Sequence, residues 1–296
     1  MSAKPVRVLH SPPQAVVVVG AGGTGAVLIQ QLCRLLYGIE DLSQRALEAP
    51  RLPGDEDEEE FYPYSNGAPE LIIVDGDAVE PSNLRRQFFV EGDAGKNKAV
   101  VLAERYSAAF GLPVSAYPHY LTPEISRDDL EEVLPPRSVI VGAVDNAATR
   151  RFLHERLDTY SDVVYLDSGN AGIPATDDGG LSELASGEAG YDGQVVCGAR
   201  MDHHKVLPFP ADVFPDLIDV EDPEDRLPTD IPCGEAIVSN PQRQVTNVLA
   251  ATVLLSYLTP MLTEGVVPNS LTFFDARKGY LRSRKAAESA VDSHCR

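Results

Sequence analysis

The feature that most constrains the fold of this chain is a run of β-branched residues that leads directly into a glycine turn. Residues Val16–Leu32 spell VVVVGAGGTGAVLIQQL, in which Gly20, Gly22 and Gly25 satisfy the pattern G-x-G-x-x-G. The pattern predicts a buried strand, a tight turn and a helix whose N-terminus faces a bound phosphate. It indicates a nucleotide site, but the glycines alone do not distinguish a dinucleotide from a mononucleotide.

Downstream of the glycine turn, short apolar runs alternate with segments of helical spacing. This alternation predicts an α/β fold with a doubly wound, mainly parallel, Rossmann-like sheet and helices on both faces. We expect the first helix to end near Tyr37, because Gly38 follows. The later predicted strands are LIIVD (71–75), PVSAYPHYL (113–121), SVIVGAVDN (138–146) and VVYLDSGNAG (163–172), and the helices between them lie in 96–111, 125–134 and 148–160.

The second half of the chain is less regular, and some of its strands are expected to be antiparallel. The expected elements are a strand at GQVVCGARM (193–201), a buried or dimer-facing helix containing VTNVLAATVLLSYL (245–258), and a closing strand or hairpin at LTFFDARKGYLRSR (271–284). We predict a single domain over 1–296, with an acidic insertion at about 40–70, a crossing segment at about 202–232 and a frayed tail at about 286–296.

Charge and cysteine usage exclude several classes of protein. Among 296 residues, 45 Asp and Glu outnumber 25 Lys and Arg, so the formal net charge is −20, which argues against nucleic-acid binding or a basic membrane face. Uninterrupted apolar stretches of about 20 residues are absent from the sequence. The four cysteines form no C-x-x-C pair, which disfavours a disulfide scaffold and a cysteine-rich zinc site. We therefore expect a soluble, cytoplasmic protein.

The loop after the second predicted strand distinguishes the two kinds of nucleotide. Asp75 ends that strand, where a carboxylate binds ribose hydroxyls in either kind of site. The loop then carries two adjacent arginines, an asparagine and a glutamine, and Lys98 opens the next helix. Arginine forks and a lysine point charge suit the oxygens of a triphosphate. The loop residues concerned are Asp77, Asn83, Arg85, Arg86 and Gln87.

These residues carry a resemblance to a known family. GAGGTG (20–25), Asp75-x-Asp77, NLRRQ (83–87), Lys98 and DN-x-x-x-R (145–150) resemble the ThiF/MoeB family of adenylating proteins, in the right order from about 16 to 172. The second half resembles more narrowly a ThiF subfamily found in bacterial PRTRC cassettes.

The resemblance implies ATP-dependent adenylation of a carboxylate, usually the C-terminal glycine of a small ubiquitin-fold protein, and a homodimer. It implies that Asp75 binds ribose, that Asp145 holds Mg²⁺, and that Gly23 lets the backbone approach the nucleotide. The remaining implied nucleotide-binding residues are Gly20, Gly22, Gly25, Asp77, Arg85 and Asn146, and the implied catalytic residues are Asn83, Arg86, Gln87, Lys98 and Cys233.

Several alternatives stay open at this point. Asp77 is also typical of a turn cap, Asp145 with Asn146 of a strand-end cap, and Arg85 of a surface ion pair. Cys233 is either a nucleophile that receives the activated product as a thioester or a small buried side chain. The alternative functions are an NAD(P)-dependent oxidoreductase and a non-catalytic nucleotide-binding scaffold.

Overall fold

The computed structural model describes residues 4–48, 67–85, 87–171, 189–218 and 243–287, with side chains up to Arg45 in the first range. The strands are β1 (Val6–Arg7), β2 (Ala15–Val19), β3 (Glu70–Val74), β4 (Val114–Tyr117), β5 (Val139–Gly142), β6 (Val163–Asn170), β7 (Asp192–Met201), β8 (His204–Leu207), β9 (Val266–Val267), β10 (Asn269–Asp275) and β11 (Tyr280–Lys285). The helices are α1 (Gly23–Glu48), α2 (Lys98–Phe110), α3 (Arg127–Val133), α4 (Ala147–Leu157), α5 (Pro210–Val213) and α6 (Gln244–Glu264), with short 3-10 helices at Asn83–Arg85, Glu91–Asp93 and Pro215–Ile218.

One large sheet organises the described residues. Its strand order is β11-β10-β7-β6-β5-β2-β3-β4, and β8 pairs with β7 beside this path. The pairs that join β4, β3, β2, β5 and β6 are all parallel, whereas β7 pairs antiparallel with β6, β8 and β10, and β10 with β11. The predicted parallel sheet with antiparallel strands in the C-terminal half is confirmed.

Alternate residues of the central strands enter two separate cores, as the two-residue period of a strand requires. Val16 and Val18 of β2 face a core that includes side chains of α1, α2 and α6. Val17 and Val19 face a second core with side chains of α3 and α4. The sheet is therefore covered by helices on both faces, which is the doubly wound arrangement.

Helix α6 is the most apolar helix among the described residues. Its length and composition alone would allow it to cross a membrane, a criterion that buried core helices also meet. Of its most apolar stretch of 18 residues, 56 % is buried inside the structure. Leu254, Leu258 and Met261 are fully buried in the first core. The Tyr257 hydroxyl lies 2.7 Å from Thr272 Oγ1 on β10. The prediction of a buried helix is confirmed.

The predicted end of the first helix was wrong. Helix α1 continues through Gly38 to Glu48, because the buried face of the helix continues with Ile39 and Ser43. Beyond the glycine, Gln44 Nε2 donates to Glu40 Oε1 at 3.0 Å, one helical turn away. A glycine inside a helix costs only about 1 kcal/mol, which these contacts offset.

Two further boundaries differ from expectation. The start of the expected acidic insertion is helical to Glu48, and the start of the crossing segment forms β8, α5 and a 3-10 helix up to Ile218. Residues 49–66 and 219–242 lie outside the described residues. Near the expected frayed tail, the Ala286 N–H still donates to Pro268 O at 3.0 Å. Cys33 and Cys197 are fully buried core residues.

Candidate functional site

A cleft opens at the carboxyl ends of the parallel strands. It is bordered by Val19 and Gly20 after β2, Asp75 after β3 and Ala143 after β5, and its empty volume is about 980 Å³, including the open mouth. The chain leaves β2 for β3 on one side and reaches β5 on the other. This is the switch point at which open α/β sheets bind ligands.

The glycine turn forms the floor of the cleft, and its geometry requires glycine. Gly20 has a φ of +98°, and a Cβ atom there would lie 2.6 Å from the carbonyl oxygen of Ala143. A Cβ atom at Gly25 would overlap the carbonyl oxygen of Gly20, and its distance to the Gly20 carbonyl carbon would be 2.9 Å. The strand and the helix therefore pack directly against each other, and the N-terminus of α1 faces the cleft, where anions are favoured.

Asp75 joins the glycine turn to the segment that follows β3. Its Oδ2 accepts a hydrogen bond of 2.6 Å from the Ala21 N–H, and its Oδ1 accepts one of 2.8 Å from the Asp77 N–H. Burial raises the pKa of Asp75 to about 6; the negative charge of Asp77 adds to this rise, while Lys98 and the two backbone donors oppose it. The carboxylate lines the cleft at the predicted ribose position.

Lys98 is a nearly buried cation at the start of α2. Its side chain is only 8 % exposed, and Nζ lies 2.8 Å from Asp77 Oδ2. The Tyr120 hydroxyl donates to the other oxygen of the same carboxylate. Burial alone would raise the pKa of Asp77, but the Lys98 charge and the hydrogen bonds from Lys98 and Tyr120 hold it below its ordinary value. Asp77 thus fixes the position of the Lys98 ammonium.

Asn97 holds this group of charges together. Its Oδ1 accepts from the Val100 N–H at 3.1 Å and so caps α2. Its Nδ2 donates to the carbonyl oxygens of Asp75 at 2.9 Å and of Asp77 at 3.2 Å. One side chain therefore ties the segment after β3 to the helix that carries Lys98.

The opposite side of the cleft is polar but uncharged. Asn170 Nδ2, at the end of β6, donates to Thr24 Oγ1 at 2.9 Å and to Asn247 Oδ1 at 3.1 Å. Thr24 Oγ1 in turn donates to Asn247 Oδ1 at 3.3 Å. Asn247 lies on α6 and is 2 % exposed. The first turn of α1 is therefore held by side chains from β6 and α6.

Asp145 and Asn146 follow β5 at the rim of the cleft. Asp145 is exposed, whereas Asn146 caps α4 by accepting a 2.8 Å hydrogen bond from the Thr149 N–H. Among the described residues, no three His, Cys, Asp or Glu side chains cluster as a metal site. Arg150 points instead into the protein, where its Nε lies 3.2 Å from a carboxylate oxygen of the buried Asp167. Burial alone would lower the pKa of Arg150, but the negative charge of Asp167 and the hydrogen bond to its carboxylate raise that pKa overall.

The loop after Asp77 meets the cleft only in part. Gln87 lines it, and the Oε1 of Gln87 is buried without a hydrogen-bond partner among the described residues. Asn83 is buried outside the cleft wall, where its Oδ1 accepts from the Glu80 N–H at 2.9 Å. Arg85 is exposed. Arg86 and Cys233 lie outside the described residues, so their predicted roles stay predictions.

Five residues of the site were not predicted from the sequence: Thr24, Asn97, Tyr120, Asn170 and Asn247. Asn97 carried a usable signal, because an asparagine directly before a helical segment is typical of an N-cap. Asn170 and Asn247 lie 77 positions apart and become neighbours only when α6 packs beside β6. Tyr120 belongs to no motif, and Thr24 stands at an unspecified x position of G-x-G-x-x-G, which says nothing about its side chain.

Two curated relatives match part of the chain. The SAMP-activating enzyme E1 of Haloferax volcanii is 32 % identical over 143 residues, which is 47 % of this chain and 40 % of the relative. The sulfur carrier protein adenylyltransferase of Thermus thermophilus is also 32 % identical over 143 residues, or 48 % of this chain and 40 % of the relative. The matched stretch thus spans less than half the length of these relatives.

A solved structure agrees over most of the fold. Escherichia coli MccB, crystallised with succinimide, superposes with a TM-score of 0.54 at 17 % identity, covering 95 % of this chain and 66 % of MccB. The sequence also matches the ThiF family over residues 62–295, a range that includes Asp75, Lys98 and Asp145 and begins after the glycine turn. Because that match covers well over half of the protein, the chain belongs to the ThiF family.

Proposed function

We propose that this protein is an ATP-dependent adenylyltransferase that activates a carboxylate. The observation that carries the proposal is the single cleft in which the glycine turn, Asp75, Lys98 and Asp145 meet. The family match and the names of the two relatives, an adenylyltransferase and an activating enzyme, support the same conclusion. A cleft at the switch point of an α/β sheet, with a few convergent polar side chains, suits a nucleotide.

The proposed reaction joins a carboxylate oxygen to the α-phosphorus of ATP and breaks the bond between the α- and β-phosphates, so that pyrophosphate leaves and an acyl-adenylate remains. A carboxylate is already ionised at neutral pH, so no general base is required. The protein must position two anions and offset the charge that develops on the phosphates. The N-terminus of α1 and the Lys98 ammonium supply positive potential, and Asp75 accepts hydrogen bonds from ribose hydroxyls.

Mg²⁺ fits the proposed site, although the described residues offer few protein ligands. Mg²⁺ at nucleotide sites is commonly held by one or two carboxylates, phosphate oxygens and water. Asp145 is an exposed carboxylate at the cleft rim, with the Asn146 side chain beside it. We therefore propose Asp145 as the magnesium ligand, where the cation would reduce the charge of the triphosphate.

We further propose that the carboxylate is the C-terminal glycine of a small ubiquitin-fold protein. The support is the family resemblance and the relatives' names, which refer to SAMP and to a sulfur carrier protein. The acidic composition of this chain favours a partner with a basic face. A homodimer and a cytoplasmic location complete the proposal, and sedimentation equilibrium tests the first of these.

The test is exchange of labelled pyrophosphate into ATP, with candidate ubiquitin-fold proteins encoded beside this gene. We expect exchange that depends on the partner and is lost when the terminal glycine of the partner is removed. Absence of exchange with every candidate, together with binding of NAD, would instead support an oxidoreductase. Arg86→Ala should abolish exchange, and Arg127→Ala, which removes an exposed arginine of α3 outside the cleft lining, is the matched control.

Cys233 is proposed to receive the acyl group from the adenylate as a thioester, with AMP as the leaving group and the thiol proton released to solvent. The matched control is Cys197→Ala, because Cys197 is fully buried and burial raises the pKa of its thiol to about 12. A thioester with the partner protein should form in the control and not in Cys233→Ala. A thioester that persists in Cys233→Ala rules the residue out.

A further inference from the structure

Asn247 closes a triangle of hydrogen bonds around the first turn of α1. Its Oδ1 accepts from Asn170 Nδ2 and Thr24 Oγ1, while Asn170 Nδ2 also donates to Thr24 Oγ1. Thr24 lies 223 positions earlier in the chain, yet all three side chains border the same cleft. The single hydroxyl proton of Thr24 and the two lone-pair sites of Asn247 Oδ1 are all used in this arrangement.

The amide of Asn247 also occupies the space that a side chain at residue 23 would need. A Cβ atom at Gly23 would overlap Asn247 Nδ2 and would lie 2.9 Å from Asn247 Cγ, but it would be 3.6 Å from Asn247 Cβ. Gly23 is not among the residues with positive φ, so its backbone conformation is open to alanine. The obstacle at residue 23 is therefore one amide group, carried by a helix from the other end of the chain.

We propose that Asn247 is a positioning residue of the nucleotide site, which sets the glycine turn by excluding a side chain at residue 23 and by holding Thr24 together with Asn170. The proposal rests on the proposed function only where it concerns the nucleotide. The backbone N–H groups that favour a phosphate belong to the first turn of α1. Asn247 fixes that turn from α6, so the C-terminal half of the chain determines the geometry of the phosphate-binding end.

The test is a double-mutant cycle with Gly23→Ala, Asn247→Ala and the combination of the two. For each protein, the melting temperature is measured by circular dichroism and the affinity for MgATP by isothermal titration calorimetry. We expect Gly23→Ala to lower the melting temperature and to weaken ATP binding at least tenfold. The double variant should match Asn247→Ala in both measurements, because alanine at residue 247 leaves only an ordinary contact of 3.6 Å.

The matched control is Gly25→Ala, alone and with Asn247→Ala. A Cβ atom at residue 25 meets the backbone of Gly20, which truncation of Asn247 does not move. We therefore expect no rescue at residue 25. Rescue at both glycines would show a general compensation and would overturn the proposal.

A double variant as impaired as Gly23→Ala would also overturn the proposal, since it would show that Gly23 is needed for the approach of the nucleotide itself. The melting temperatures test, without any ligand, whether Asn247 is the group that excludes a side chain at residue 23. If the wild-type protein bound no ATP, the proposed function would fail, while rescue of the melting temperature would still show that Asn247 is what excludes a side chain at residue 23.

Discussion

The two sides of the cleft are built in different ways. The charged wall consists of Asp75, Asp77, Lys98 and Tyr120, which come from two consecutive βα units. The amide wall consists of Thr24, Asn170 and Asn247, which come from α1, β6 and α6. Members of the charged wall lie within 45 positions of one another, whereas Thr24 and Asn247 are 223 apart.

Because they are built differently, the two walls contribute differently to ATP binding, reaction rate and stability. The charged wall supplies a nearly buried cation, Lys98, and a carboxylate, Asp75, whose pKa is raised to about 6. It therefore acts through the charges that it places beside the nucleotide. The amide wall carries no net charge and acts through the position of the glycine turn. Loss of the Lys98 charge should therefore reduce the rate of the reaction and protonation of Asp75 the affinity for ATP, whereas loss of the amide wall should reduce affinity and stability together without changing the rate at saturating ATP.

The largest expected effect is that of removing the Lys98 charge. Lys98→Met keeps most of the side-chain stem but removes the ammonium, and we expect pyrophosphate exchange to fall roughly 10²–10³-fold, as for the loss of one preorganised electrostatic group. Lys96→Met, two residues away and exposed, is the matched control and should stay within about twofold. Exchange reduced less than tenfold in Lys98→Met would mean that Lys98 serves mainly to pair with Asp77.

The second expected effect is a dependence of ATP affinity on pH. Because the pKa of Asp75 is about 6, only about a tenth of the protein carries the ionised carboxylate at pH 5. If ribose binding needs that carboxylate, ATP affinity should fall roughly tenfold between pH 7 and pH 5. Isothermal titration calorimetry at each pH measures this fall. Asp75→Asn is the control, since ATP itself also titrates, and a fall of equal size in Asp75→Asn would exclude Asp75 as the cause.

The same pKa predicts a change in stability. The folded-state pKa of Asp75, about 6, is above its ordinary value of 3.8, so the native state holds the proton more tightly than the unfolded state. The free energy of unfolding should therefore fall as the pH rises from about 4 to about 6. Asp75→Asn should flatten this part of the profile in urea titrations.

The contrast between the walls also shows how much of the structure could be predicted from sequence. The central strands are apolar runs rich in β-branched residues, and the glycine turn and Asp75 have a fixed relation to them. The sheet and three members of the charged wall, Asp75, Asp77 and Lys98, could therefore be predicted, whereas Tyr120 could not. Helix α1 was predicted too short because Gly38 was treated as a stop, although the buried face continues with Ile39 and Ser43.

The amide wall could not be predicted for a physical reason. Asn247 is one of several polar residues in a mostly apolar helix, and nothing in its neighbourhood in the sequence specifies that it meets the first turn of α1. Helix α6 packs against α1 and against β6, β7 and β10, and its buried side chains join the first core. Local patterns specify strands and turns, whereas partners brought together by long-range packing carry no comparable signal.

The third expected effect concerns the amide wall. Asn170→Ala removes the donor to both Thr24 and Asn247, and it leaves their mutual bond of 3.3 Å. We expect a loss of about 1–2 kcal/mol in the free energy of unfolding and an ATP affinity weaker by a few-fold. Asn269→Ala on β10, outside the cleft lining, is the matched control. A loss of exchange rate at saturating ATP, with affinity unchanged, would contradict the division of labour between the walls.

The smallest expected effect tests whether an amide can border the cleft without belonging to the amide wall. Asn146 lines the cleft and caps α4, whereas Ser126 caps α3 by accepting from the Asp129 N–H at 3.1 Å and does not line it. Asn146→Ala and Ser126→Ala should each lower the free energy of unfolding by about 1 kcal/mol in urea titrations, because each removes an N-cap. ATP affinity should fall only in Asn146→Ala, and by less than in Asn170→Ala, since Thr24 keeps both of its partners, Asn170 and Asn247. Equal stability losses with unchanged ATP affinity in both variants would show that Asn146 is a helix cap alone. A loss of ATP affinity in Asn146→Ala larger than that in Asn170→Ala would instead extend the amide wall to the end of β5.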